Sequence, residues 1–181
     1  IFQQCLSGEN VPGDPNCASP TGMALIPAGE FQMGDSFVPS EGNPDELPRH
    51  AVSVDAFYMD RYEVTKDLWD TVKTWATANG YSLDNAGSGQ AGGYPVICDN
   101  WYDCVKWSNA RSQKEGRIPC YYTDSACTLV YKSGQVNPYV KWDTNGYRLP
   151  TEAEWEKAAR GGVEEKRFPW SDSDYIQHTR A

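Results

Sequence analysis

Positive charge is scarce in this chain. Its 16 lysine and arginine residues face 25 aspartate and glutamate residues, for a formal net charge of −9. A surface of that sign offers no basic footprint for nucleic acid and no attraction to an anionic membrane. Long apolar runs are missing as well, and no stretch approaches the roughly 20 residues of a spanning helix. Histidine is nearly absent, with only His50 and His178. No Cys-x-x-Cys occurs, and these two gaps leave zinc the weaker reading of the cysteines. No internal repeat appears.

What is present points to one domain with small appendages. The chain has 181 residues, 7 Trp and 11 Tyr, enough for a core of large flat side chains, while 16 Gly and 12 Pro predict long loops. Six cysteines stand at 5, 17, 98, 104, 120 and 127. Their even number and loop context predict disulfides and an oxidising compartment: secreted, periplasmic or cell-surface. Neighbour pairing suggests Cys5–Cys17, Cys98–Cys104 and Cys120–Cys127, with other connectivities left open.

Residues 1–22, broken by Asn10, Pro12, Gly13, Asp14, Pro15, Asn16 and Pro20, read as a coil arm or linker. Ile1-Phe2-Gln3-Gln4 fits either a mature amino terminus or a cut within a larger protein. Residues 23–34 read as a hairpin, with Leu25 and Ile26 on one strand, Pro27-Ala28-Gly29 turning, and Phe31 and Met33 alternating on the next. Residues 51–63 alternate through Val52, Val54, Ala56 and Tyr58 and suggest another strand pair. Thr65 caps a helix over about 66–78, its buried face formed by Leu68, Val72, Trp75 and Ala76. Asn100 caps a second helix over about 101–113, with Trp101, Cys104, Val105 and Ser108 marking the inward side. Short strands follow around Tyr121, Leu129 and Tyr139, the first two forming a small hairpin stapled by Cys120–Cys127.

The run from Gly146 to Gly162 is a complete helix cassette. Thr151 is the cap and Glu154 reaches back to it, a capping box. Glu152, Glu154 and Glu156 crowd the positive end of the helix dipole, with Lys157 and Arg160 toward the negative end. Gly161 and Gly162 supply the left-handed stop. Trp155, Ala158 and Ala159 share one apolar face, on which Trp155 is the anchor.

The string Arg148-Leu149-Pro150-Thr151-Glu152-Ala153-Glu154-Trp155-Glu156, followed by Ala158-Ala159-Arg160-Gly161-Gly162, resembles the signature of the formylglycine-generating enzyme, or sulfatase-modifying factor, family. Further pieces match in the right order: Ile26 to Gly34, Asp45 to Val52, Phe57 to Thr65, Pro95-Val96, Trp101-Tyr102-Asp103, Trp107 to Ala110 and Phe168-Pro169-Trp170. The resemblance covers roughly residues 23–181 and implies an α+β fold, a C-type-lectin-like variant. Short strands, about three capped helices and little regular secondary structure are expected. Well-known members oxidise a sulfatase cysteine to formylglycine with molecular oxygen and a copper ion held by two cysteines.

The sequence departs from the family at its carboxy-terminal side. The copper-binding cysteines and most calcium ligands of the family lie in a half that this chain is expected to lack. Copper and calcium are thus implied only for that half, with no cofactor in this chain. Catalytic and cofactor-binding residues are unknown, and no metal ligand is assigned. Ser108 and Ala159 stand where some members have structural cysteines, and Ser171 replaces the usual Gly after Pro-Trp.

Other clusters have plainer readings. His50 with Asp45 and Glu46 reads as a structural histidine pinning a loop, Asp172 and Asp174 as a solvated loop, and Cys104 beside Lys106 as a bridged or buried thiol. Arg148, Glu154 and Arg160 read as an ion-pair network. Two functions stand: a sulfatase-modifying-factor-like oxidoreductase with its catalytic half outside this chain, acting on a protein or peptide such as a sulfatase; and a non-catalytic extracellular lectin-like module that binds a glycan or a protein. Oligomeric state is open.

Overall fold

The computed structural model describes residues 2–3, 21–35, 43–97 and 100–163. In chain order the elements are β1 (Phe2–Gln3), β2 (Met23–Ile26), β3 (Gly29–Met33), a 3-10 turn (Pro44–Glu46), β4 (His50–Val54), β5 (Phe57–Asp60), α1 (Lys66–Ala78), α2 (Trp101–Lys114), β6 (Tyr121–Tyr122), β7 (Tyr139–Val140), β8 (Tyr147–Arg148) and α3 (Glu152–Arg160). They fall into two compact units, residues 1–27 with 56–149 and residues 28–55 with 150–181.

The first unit is built on two helices and a four-stranded sheet of order β2-β5-β1-β8. Helix α1 starts where Thr65 accepts a hydrogen bond from the Leu68 amide, 3.3 Å. Val72 and Ala76 recur one turn apart and are buried with Trp69. That face meets Trp107 and Ala110 of α2. The rings of Trp69 and Trp107 stack with centroids 5.4 Å apart and planes 4° apart. Each indole N–H finds a carbonyl: Trp107 Nε1 donates to Trp69 O and Trp69 Nε1 to Ala86 O, both at 3.1 Å. The pair thus buries two large rings without orphaning a donor.

The second unit pairs β3 with β4, Phe31 opposite Val52, and lays α3 against them. Thr151 and Glu154 form the capping box, and Gly161 closes α3 with φ of +59°. Glu156 accepts from the Gly34 amide at 2.9 Å, and Arg160 donates to the Gly34 carbonyl at 3.0 Å. Gly34 has φ of +104°, and a Cβ there would lie 2.5 Å from Glu46 O, so the tight turn admits glycine only.

Several strand pairings differ from the sequence reading. Residues 23–34 are not a hairpin, since β2 pairs with β5 and β3 with β4. Residues 51–63 likewise hold two strands that do not pair with each other. Alternation reveals a strand and its buried face, but not its neighbour. Residues 1–22 are not wholly coil, for Phe2–Gln3 pair on both sides within the sheet.

Two inward tryptophans also differ. Trp101 is 51% and Trp155 62% exposed. Trp101 is the first residue of α2, just outside the packed turns. In α3 the buried residue is the capping Glu154, with Ala158 and Ala159 half-buried.

Candidate functional site

The densest cluster of functional side chains lies along α2. Apolar periodicity does not explain it: Val105 to Ser112 are all buried, and five of these eight residues are polar or charged. The helix is enclosed by α1, β6 and β8, so each polar group needs an internal partner.

The first group is ionic. Lys106 Nζ lies 2.8 Å from Asp103 Oδ1, an ion pair whose angles fall short of hydrogen-bond geometry, with both side chains fully buried. Asp103 Oδ2 accepts from the Asn85 amide at 2.6 Å, and Asp84 stands 3.9 Å from the ammonium. Fixing the 84–85 loop onto α2 is what this arrangement does.

The second group is an amide staple. Asn109 Nδ2 donates to the carbonyls of Tyr121 (2.7 Å) and Tyr131 (3.1 Å), while Oδ1 accepts from the amides of Cys120 (3.1 Å) and Tyr121 (3.0 Å). One buried side chain thus satisfies four backbone groups of the 120–131 segment.

The third group is aromatic and cationic. Arg111 makes a bidentate contact to Asp60 at 2.6 and 3.3 Å, and its guanidinium sits 4.0 Å from the Tyr147 ring centre. Burial alone would lower the Arg111 pKa; the hydrogen bond and charge of Asp60 more than offset this and hold it above its ordinary value. The Tyr147 hydroxyl donates to Glu115 Oε2. Burial first, and that hydrogen bond second, push the phenol upward. These two shifts keep Arg111 charged and Tyr147 neutral at neutral pH, as in architecture rather than proton transfer.

The cysteines follow suit. Cys120 is buried, its sulfur 3.0 Å from Thr144 Oγ1, and burial pushes the thiol up, opposite to the direction a nucleophile or metal ligand needs. Cys120 and Cys127 are not bridged to each other. Asp124 does the stapling instead, accepting from the amides of Leu129 (2.6 Å) and Thr128 (3.1 Å) and so closing the 123–129 loop. Cys104 is half-buried on α2. Cys5, Cys17, Cys98, His178, Asp172, Asp174 and the Phe168-Pro169-Trp170-Ser171 stretch lie outside the described residues.

His50, Asp45 and Glu46 are exposed, with His50 Nδ1 3.0 Å from Pro48 O, a loop-pinning contact. Arg160 pairs with Glu156, while Glu154 accepts from the Thr151 amide. Arg148 is buried, its guanidinium 4.8 Å from the centre of the half-exposed Trp142 ring. Among the described residues no group of three or more His, Cys, Asp or Glu is placed to hold a metal, and no helix is long and apolar enough to cross a membrane. Among the described residues no carboxylate cluster of the kind calcium needs is formed, and Cys120, its thiol pushed up by burial, is a poor copper ligand. The buried groups of α2 left no periodic signal in the sequence; the polar string Lys106 to Ser112 inside a helix was the available clue.

Comparison with known proteins bears on the same segments. Residues 9–181 match the family model of the sulfatase-modifying factor enzyme 1-like domain. The chain is 34% identical over 162 residues to the chaperone protein LppX of Paenibacillus barcinonensis, covering 83% of this chain and 54% of that one. It is 31% identical over 179 residues to the formylglycine-generating enzyme of Bos taurus, covering 90% and 46%. The crystal structure of CarF superposes with a TM-score of 0.67 at 25% identity, over 85% of this chain and 64% of that one. The chain spans about half the length of the curated relatives it matches. The mixed α and β architecture is the C-type-lectin-like fold of these proteins. From the ordered motifs, the fold and the match across nearly all of its length, the chain belongs to the sulfatase-modifying factor enzyme 1-like domain family.

Proposed function

We propose that this chain is the scaffold portion of an oxidoreductase of the sulfatase-modifying-factor type, one that converts a cysteine of a protein substrate, such as a sulfatase, to formylglycine. The match of residues 9–181 to the family domain carries this reading, supported by about 30% identity to proteins named formylglycine-generating enzymes. In this reading copper and calcium are held by residues outside the 181. The part played by this chain is rigid support: the Asp103–Lys106 pair, the Asn109 staple and the Arg111–Asp60 contact fix loops around α2. The six cysteines favour an exported protein.

A second reading is a binding module for a glycan or a peptide. Trp142 at 53% exposure and Tyr139 and Trp101 at 51% each favour it, since half-exposed rings are the side chains such ligands stack on.

The test uses the protein in its natural length, loaded with copper(I), in air, with a cysteine-containing sulfatase peptide. Formation of an aldehyde, read as the mass change from CH2SH to CHO and by hydrazide labelling, is expected. Peptide or glycan binding without aldehyde would overturn the oxidoreductase reading in favour of the second.

A further inference from the structure

Lys106 is the one lysine wholly buried among the described residues. Its Nζ lies 2.8 Å from Asp103 Oδ1, three residues earlier on α2, and both side chains are fully enclosed. Neither of these two atoms makes a hydrogen bond with a described residue. A buried ion pair offsets its loss of water only where good geometry and further hydrogen bonds accompany the attraction. The Arg111–Asp60 pair meets that condition, with two hydrogen bonds at 2.6 and 3.3 Å. The Lys106 Nζ–Asp103 Oδ1 contact does not. Joining this amine and this carboxyl as an amide would take both charges out of the interior.

The surroundings supply the other parts of such a reaction. Asp103 Oδ2 accepts from the Asn85 amide at 2.6 Å, so charge developing on this oxygen meets a donor already in place. Asn85 is itself fixed: its carbonyl accepts from Lys73 Nζ and its Oδ1 from the Gly87 amide, both at 3.1 Å. Asp103 Oδ1 faces the amine and is the oxygen able to leave. Asp84 Oδ2 stands 3.9 Å from Nζ, within reach through one bridging water. Gln135 Nε2 donates to the same Asp84 oxygen at 3.3 Å, and the Asp84 side chain is 52% exposed, open to proton exchange with solvent. Residues three apart are neighbours on a helix surface, so a ring between 103 and 106 is compatible with the turn of α2.

We propose that Asp103 and Lys106 condense into an intramolecular isopeptide bond, with the Asn85 amide as oxyanion donor and Asp84 as proton carrier. A proton passes from Nζ to Oδ1 and leaves an amine and a carboxylic acid side by side. The amine lone pair attacks Cγ; the Nζ–Cγ bond forms as charge moves onto Oδ2, where the Asn85 N–H receives it. Asp84 takes a second proton from Nζ and returns it to the departing oxygen. The Cγ–Oδ1 bond then breaks, the Cγ–Oδ2 carbonyl re-forms and water leaves. The net change is the loss of one water, and nothing is oxidised or reduced. Proximity favours the step, because the helix and the fixed Asn85 hold the reacting groups together before it begins.

The mass of the intact protein, purified at its natural length, then reduced, alkylated and denatured, tests this. A mass below that of the sequence by one water is expected. Tandem fragmentation should place the loss in a ring that yields no fragments between Asp103 and Lys106, and trypsin should leave Lys106 uncut. Lys106→Met is expected to show the full mass of its sequence, and Asp84→Asn, at a half-exposed position, to leave most molecules uncyclised. Full mass in the wild type would overturn the proposal, however the variants fold. A water loss that still fragments between 103 and 106 marks a succinimide at Asp103 and overturns it too, as does a loss that persists in Lys106→Met. Cyclisation unchanged in Asp84→Asn overturns the role given to Asp84.

Discussion

At the scale of single residues, the side chains that matter most are polar ones deep inside. Replacing Arg111 with Met would deprive the largely buried Asp60 carboxylate of the Arg111 guanidinium. Breaking a buried pair from one side costs about 3–5 kcal/mol, so a large drop in urea midpoint is expected. Asn109→Leu keeps the volume but removes four hydrogen bonds to the 120–131 segment, of whose groups the Tyr121 carbonyl still accepts from the Tyr131 amide, and a loss of about 3 kcal/mol follows from the buried groups left short of a bond. Hydrogen exchange should show its opening concentrated in residues 120–131. Asp124 gives a pH signature. Hydrogen bonds from the Leu129 and Thr128 amides hold its carboxyl below the usual range. With the folded value below the unfolded one near 3.9, its contribution is fully present above about pH 4 and lost as pH falls through the folded value. In wild type, exchange of the Thr128 and Leu129 amides should quicken relative to the rest of the molecule across that acid window. In Asp124→Ala their rates relative to the rest of the molecule should not change across it.

At the scale of elements, caps were legible in the sequence and faces only partly so. Thr65, Asn100 and the Thr151–Glu154 box announce their helices because a cap is a local interaction within four residues. Thr151→Ala is expected to cost about 1 kcal/mol, read as a lower thermal midpoint. Trp155 is the opposite case: sequence spacing makes it an anchor, yet it stands 62% exposed. Trp155→Ser should stay within about 0.5 kcal/mol of wild type. The buried polar run of α2 was illegible because its partners, Asp60, Tyr121 and Tyr147, come from distant segments. Strand pairing failed for the same reason. Val52 and Phe31 show their alternation locally, but their pairing crosses the intervening loop, and nothing in the Pro27-Ala28-Gly29 turn tells whether the chain folds back or changes sheet.

At the scale of the whole molecule, family and fold were readable from motifs whose order outweighs any one of them, while no catalytic residue was assignable from those motifs. The proposed function divides the labour: the described residues shape and support, and the residues that hold copper are proposed to lie outside them. Cys120 is the sharpest point of that division, a buried thiol raised by its surroundings and engaged by Thr144. The most direct measurement is a copper(I) competition titration of residues 1–181 against a chromophoric chelator, repeated with Cys120→Ser and Cys127→Ser. The account predicts no tight copper site that depends on either cysteine. One equivalent of tightly held copper, lost in either variant, would contradict it.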